Sequence, residues 1–244
     1  MAGSRSPLRA LFRGDPELAQ IKRLFQDRIR EVLRARQGSD LDEAAFPAYA
    51  HRNPLIDLLV WRKWMLAYAL AADVGSGRAL DFGCGPGMMT FALARRGFEV
   101  TALDVNLAPL RSLSVEFPPG IRFVEGRLDD IESPDSSLDL IVALDVLEHV
   151  DDLDRCVARF QRMLRPDGAL IVSVPTESRV YALGRRLAGP RFTGDYHLRG
   201  LPQVRRAVLR EFDITRRYRL VRPVTLFEVF RARPKSPREA TTAC

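Results

Sequence analysis

Three glycines at alternate positions, Gly83, Gly85 and Gly87, follow the apolar run Ala79-Leu80-Asp81-Phe82 directly and lead into a second apolar stretch. No other feature of the chain narrows the possible folds as far. Glycine lets the backbone turn tightly and come close to a ligand. A helix that starts behind such a loop directs its free N–H groups and its positive end at that ligand. The surrounding pattern supplies both the strand and the helix. Short apolar runs at 78–82, 99–104, 121–125, 138–144 and 169–174 read as strands, with helices expected at 88–95, 108–117 and 152–164. Each helix meets a stop: Gly97, then Pro118-Pro119-Gly120, then Pro166-Asp167-Gly168. The strands are apolar enough to be buried on both faces, as in a parallel sheet.

The flanks are organised differently. Residues 1–14 read as a flexible basic arm, and 16–37 as an amphipathic helix ended by Gly38 and Ser39. A second helix is expected from Asn53-Pro54 to about Ala72, apolar over more than one face, with Arg62 and Lys63 in its middle. Beyond Pro175 lies a long segment, 175–202, rich in glycine, arginine and aromatics, expected to cover a substrate. A helix at 202–210 and two strand-like runs, 212–221 and 224–232, follow; the short Arg222-Pro223 link makes them a hairpin at one sheet edge. The expected organisation is an arm and helix over 1–52, one α/β domain over 53–233 and a disordered tail over 234–244.

The loop also selects among ligands. Enzymes that bind dinucleotides want G-x-G-x-x-G, whereas here the spacing is G-x-G-x-G, with Asp81 two residues before the first glycine. A carboxylate there sits poorly against a pyrophosphate and suits a cationic ligand with an amino group and a sulfonium. That argues for S-adenosylmethionine over a nicotinamide or a flavin. The next strand ends in Asp104, an acid placed to accept hydrogen bonds from both ribose hydroxyls.

The run Asp81-Phe82-Gly83-Cys84-Gly85-Pro86-Gly87 resembles motif I of the class I S-adenosylmethionine-dependent methyltransferases, and Leu103-Asp104-Val105 their acidic motif II. The segment from Leu138 to Val150, which ends in Leu147-Glu148-His149-Val150, resembles their fourth strand and following loop. Leu164-Arg165-Pro166-Asp167-Gly168 is similar to their turn before strand five. The matches run in order from about Arg78 to Pro175 and are of the type that includes ubiquinone-biosynthesis O-methyltransferase-like proteins. The resemblance implies a Rossmann-like, seven-stranded, mostly parallel sheet with helices on both faces and an antiparallel C-terminal hairpin, here with an N-terminal helical extension. It implies that Asp81 through Gly87 cradle the methionine part of the cofactor and that Asp104 holds the ribose, with Val105 and Asn106 beside the adenine. Arg127 stands where the family commonly has an acid for the adenine amino group, so either Asp129 substitutes or the Leu128 backbone serves alone. Leu144 and Asp145 are implied to line the pocket floor near the methyl group.

A sulfonium methyl is already activated, so alignment and water exclusion are the main tasks, with a base for an acidic acceptor. His149 and His197 are the candidate bases, while His51 reads as structural or as part of the entrance. Other chemistries lack their signatures. No Asn/Asp-Pro-Pro-Tyr run follows the fourth strand, as adenine-N6 or glutamine methylation would need, and no Pro-Cys nucleophile stands there for cytosine-C5 chemistry. Cys84, Cys156 and Cys244 have neither disulfide nor metal-ligand spacing, so no metal is expected. The formal charge of +7 is almost all arginine, since Lys22, Lys63 and Lys235 are the only lysines, and no specific nucleic-acid partner is expected. The acceptor is expected to be a small molecule or one linked to a lipid or glycan. The alternatives are an S-adenosylmethionine-binding protein without turnover and an RNA methyltransferase. No apolar run is long enough to span a bilayer and the N-terminus lacks a secretory pattern, so the cytoplasm is the expected compartment. The helix over 55–72 has two readings: a lid on the sheet, or a peripheral membrane contact through Trp61 and Trp64.

Overall fold

The computed structural model of the chain describes residues 15–35, 46–176, 199–220 and 225–236. In chain order the helices and strands are α1 (Pro16–Ala35), α2 (Phe46–Tyr49), α3 (Pro54–Leu70), β1 (Gly77–Phe82), α4 (Met88–Arg95), β2 (Phe98–Asp104) and α5 (Ala108–Ser112). They continue with β3 (Ile121–Glu125), β4 (Leu138–Leu144), α6 (Leu153–Met163), β5 (Leu164–Pro175), α7 (Leu201–Glu211), β6 (Phe212–Leu220) and β7 (Phe227–Pro234). The strands form one seven-stranded sheet in the order β3-β2-β1-β4-β5-β7-β6. Strands β1 to β5 pair in parallel, and β7 enters antiparallel between β5 and β6. The chain winds outward from β1 to β3 and then restarts at β4 on the other side of β1. That reversal opens a crevice at the carboxyl ends of β1 and β4, where open α/β sheets bind ligands.

Alternation along the strands divides the core. Ala79, Leu140, Val142, Ile171 and Val229 face α1, α3 and α4, whereas Leu80, Ile141, Val172 and Phe230 face α6 and α7. Helix α1 shares the first core with α3 and α4 across the boundary expected near residue 52. Phe25 packs edge to face on Phe91 at 5.6 Å, and the Gln26 amide donates to the Tyr49 carbonyl at 3.2 Å. Ile29, fully buried on α1, reports on this packing. Ile29→Ala is expected to lower stability by about 2–5 kcal/mol, read as a shift of the single thermal unfolding transition. An unchanged midpoint would show that α1 frays independently of the sheet.

Three expectations need correction. The helix expected over 108–117 stops at Ser112, because Ser114 takes a left-handed backbone (φ 48°) that no helix continues through. The fifth strand begins at Leu164 rather than Ala169. Pro166-Asp167-Gly168 is absorbed as an irregularity in the ladder, where pairing with β4 shifts register between Leu138 and Leu140. Trp61 and Trp64 are not available to a membrane. Each is 1% exposed, their rings meet edge to face at 5.6 Å, and the Trp61 indole donates to the Tyr49 carbonyl at 3.1 Å. The large apolar residues that α3 does expose are Leu55 and Leu58. No helix among the described residues is long and apolar enough to cross a membrane.

Other expectations hold closely. Asn53 caps α3 by accepting from the Leu55 amide at 2.9 Å. Helix α4 spans the expected residues. The antiparallel β6–β7 pair forms the expected edge, while the 221–224 link lies outside the described residues.

Candidate active site

The loop from β1 to α4 is stitched to the end of β2. The Gly83 and Cys84 amides both donate to the Leu103 carbonyl, at 2.8 and 3.0 Å. The neighbouring Asp104 carboxylate is fixed from two sides: Gly85 N–H donates to one oxygen at 2.8 Å and Asn106 N–H to the other at 3.1 Å. Strand pairing therefore sets the spacing between loop and acid. Beside them opens a cleft of about 390 Å³. Of the residues expected to hold the cofactor, Phe82, Gly83, Asp104, Val105, Arg127, Leu128 and Asp129 line it, and so does His149.

The Asp129 carboxylate is clasped by Arg155 at 2.8 Å and Arg159 at 2.9 Å, two α6 residues that also line the cleft. Arg127 pairs instead with Asp151, another residue of the cleft lining, at 3.6 Å. Ion pairing thus engages the carboxylate that was to substitute for the family's acid.

Asp81 lies beneath the loop, 2% exposed, and accepts from the Thr90 hydroxyl on α4 at 2.5 Å. Burial pushes its carboxyl up to about 6, against the pull of the Thr90 bonds and with a small push from the Asp104 charge. Cys84 and Cys156 are free thiols, and both are raised chiefly by burial, Cys156 to about 12, so neither is a nucleophile near neutral pH.

A second polar group sits after β4, on the side where α3 packs on β5 and β7. Asp145, directly after β4, has a left-handed backbone (φ 52°), uncommon for a residue with a Cβ. Its N–H donates to the Ser173 carbonyl at 2.9 Å, the Ser173 hydroxyl donates to one carboxylate oxygen at 2.7 Å, and the Lys63 ammonium contacts the other. Tyr49 is buried beside them. Burial raises its phenol to about 12, which Lys63 opposes and the Asp145 and Asp81 charges reinforce. Leu144 is half-buried, packed against the α1–α3–α4 side of the core.

The histidines separate. His149 is exposed at the cleft rim, where its amide closes a turn onto the Val146 carbonyl at 3.0 Å. His51 accepts from the Asn53 amide at 2.9 Å, at the entry to α3. His197 and residues 177–198 of the expected substrate-covering segment 175–202 lie outside the described residues. Sequence reasoning missed Tyr49, Thr90, Arg155, Arg159 and Ser173 as members of the site. Lys63 left a visible signal, a charge in the middle of an apolar helix.

Comparison with known proteins agrees with this geometry. A family described as a methyltransferase domain matches residues 80–172, from β1 into β5. A ubiquinone biosynthesis O-methyltransferase of Mesorhizobium japonicum is 32% identical over 129 residues, 52% of this chain and 50% of that protein. The chain spans about half the length of the curated relatives it matches. The fold is that of an S-adenosylmethionine-dependent methyltransferase from Mesorhizobium loti (TM-score 0.56, 24% identity, 70% of this chain and 97% of the other). It is also that of the Burkholderia thailandensis 1,6-didemethyltoxoflavin-N1-methyltransferase, solved with S-adenosylhomocysteine and its acceptor (TM-score 0.59, 22% identity, 85% and 89% covered).

Proposed function

We propose that the chain, which matches a methyltransferase domain over residues 80–172, binds S-adenosylmethionine across the β1–β4 crevice and methylates a hydroxyl of a small or lipid-linked acceptor. The observation that carries the reading is the pair of carboxylates on either side of the glycine loop. Asp81 is buried, with Thr90 as its hydrogen-bond partner among the described residues, and matches a ligand ammonium. Asp104 is held by two backbone amides with its carboxylate at the cleft, and matches a ribose diol. The cleft beyond Asp104 takes the adenine, bounded by Val105 and Leu128.

When bound, the cofactor supplies a methyl group on a sulfonium. The protein has only to hold donor and acceptor in line and keep water out. Helix α3 serves the second purpose, since it packs on β5 and β7 and carries Trp61 and Trp64 in the same buried core as Tyr49. The hydroxyl acceptor is supported by the curated relatives, which are named ubiquinone biosynthesis O-methyltransferases.

Calorimetric titration with S-adenosylmethionine tests the site. The parent is expected to bind, and Asp104→Ala to lose roughly 150-fold or more, the magnitude of two hydrogen bonds to a charged group at about 1.5 kcal/mol or more each. No binding by a folded parent would overturn the proposal.

A further inference from the structure

Lys63 is 4% exposed, on a helix whose other buried positions are apolar, and it lies outside the matched methyltransferase segment. Its ammonium meets the Asp145 carboxylate and stands 4.5 Å from the centre of the Phe227 ring on β7. A buried ion pair is a weak stability device, because a well-packed apolar residue serves as well or better. What this pair does uniquely is fix geometry. Asp145 has an uncommon backbone, and Ser173 holds its amide and one carboxylate oxygen while Lys63 holds the other. A carboxylate has about four acceptor positions, so a further donor can still be received on its exposed side, and the Asp145 side chain is 28% exposed.

The place is as telling as the chemistry. A Cβ on Gly83 would lie 2.5 Å from the Val146 side chain, so the segment after β4 abuts the glycine loop. Strand β1 pairs with β4 with Asp81 opposite Val142 and Phe82 opposite Ala143, so Asp145, directly after β4, lies at the end of β1 that carries Asp81. The cleft lined by Asp104 and Val105 forms the other end.

We infer that Lys63 is a positioning residue that clamps Asp145 at the acceptor end of the site, and that Asp145 receives the hydrogen bond of an acceptor hydroxyl. This rests on the methyltransferase reading above. As the acceptor oxygen gains the methyl carbon, the carbon–sulfur bond breaks with its electron pair left on sulfur. The hydroxyl proton passes to the Asp145 carboxylate and then to solvent.

The test uses the full chain as parent, Lys63→Met, Lys63→Arg, Asp145→Asn and the double variant Lys63→Met with Asp145→Asn. S-Adenosylhomocysteine binding is measured by calorimetry, and label transfer from tritiated S-adenosylmethionine is followed with catechol as the probe acceptor. Lys63→Met is expected to bind S-adenosylhomocysteine within about threefold of the parent while kcat falls roughly tenfold or more, with Lys63→Arg recovering part of it. In the double variant the loss should be close to that of Asp145→Asn alone, since residues acting as one unit are not additive. Unchanged kcat in Lys63→Met, additive losses, or a fall in cofactor affinity as large as the fall in kcat would each overturn the clamp. A parent that binds cofactor but leaves catechol unmethylated overturns the hydroxyl-acceptor assignment and spares the cofactor site. A parent that binds no cofactor removes both.

Discussion

Asp81→Asn is expected to raise the thermal midpoint of the ligand-free protein at pH 8 and to weaken S-adenosylmethionine binding about 100-fold or more. Both effects come from one buried carboxylate. Burial pushes Asp81 up to about 6 from an ordinary 3.8. A group raised on folding favours the folded state while protonated, and that contribution disappears as pH rises from about 4 through about 6. Above that window the charged Asp81 destabilises the ligand-free protein by up to roughly 3 kcal/mol, because each tenfold change in proton affinity is worth about 1.4 kcal/mol. Asparagine removes the charge and keeps an oxygen for the Thr90 hydroxyl. The same charge is what a ligand ammonium would pair with, and breaking a buried charged pair at a binding site costs about 2–5 kcal/mol. The pH dependence separates the two consequences. Parent affinity should fall below pH 6 as Asp81 takes up a proton, while that of Asp81→Asn stays flat over the same range. Scanning calorimetry at pH 5 and pH 8, with titrations at both, reads all of this. A variant that melts no higher than the parent at pH 8 and binds the cofactor as tightly would show that Asp81 only supports the loop.

How much of this could be read from the sequence follows the range of each interaction. The strands and the loop are local patterns of period and glycine spacing, and β3 and β4 lie where they were expected. Asp104 was visible because strand ends in βαβ units recur at fixed distances from the loop. The end of α5 was not, because Ser114 adopts a backbone normally left to glycine and its sequence gives no sign of that. Trp61 and Trp64 left the lid and the membrane contact both open because an apolar helix next to basic residues reads the same whether a bilayer or a sheet covers it. Only the packing of α1 and α2 decides for the core. The Lys63–Asp145 contact joins residues 82 apart in the chain, in elements that touch only after the sheet has formed, so no spacing rule reaches it. Arg127 shows the opposite limit. The sequence identified the missing acid, but Asp129 is held by Arg155 and Arg159, which come from a helix some 26 and 30 residues further on.

Two of the three loop glycines, Gly83 and Gly85, are expected to fail in different ways. Gly83 takes φ 71°, and a Cβ there would lie 2.5 Å from one Val146 methyl carbon and 2.7 Å from the Val146 Cβ. Valine is stiff at χ1, so the clash must be relieved by moving the segment after β4, which carries Asp145. Adding a left-handed backbone penalty of about 1–2 kcal/mol to an overpacking penalty of about 1–3 kcal/mol, Gly83→Ala is expected to lose roughly 2–5 kcal/mol of stability. Gly85 takes φ 50° with nothing within 4 Å of a built Cβ. Gly85→Ala should therefore lose only the backbone part, about 1–2 kcal/mol, yet its methyl group would project into the open side of the loop, where the cofactor backbone would approach. The first variant should melt well below the parent and regain part of the loss when Val146→Ala removes the obstructing methyl groups. The second should melt near the parent while its S-adenosylmethionine affinity drops about tenfold or more, the effect of displacing one close contact. Thermal melts and titrations of the three variants decide it. If Gly85→Ala binds like the parent, the open side of the loop does not face the cofactor, and the assignment of the Gly83–Gly87 loop as its cradle fails.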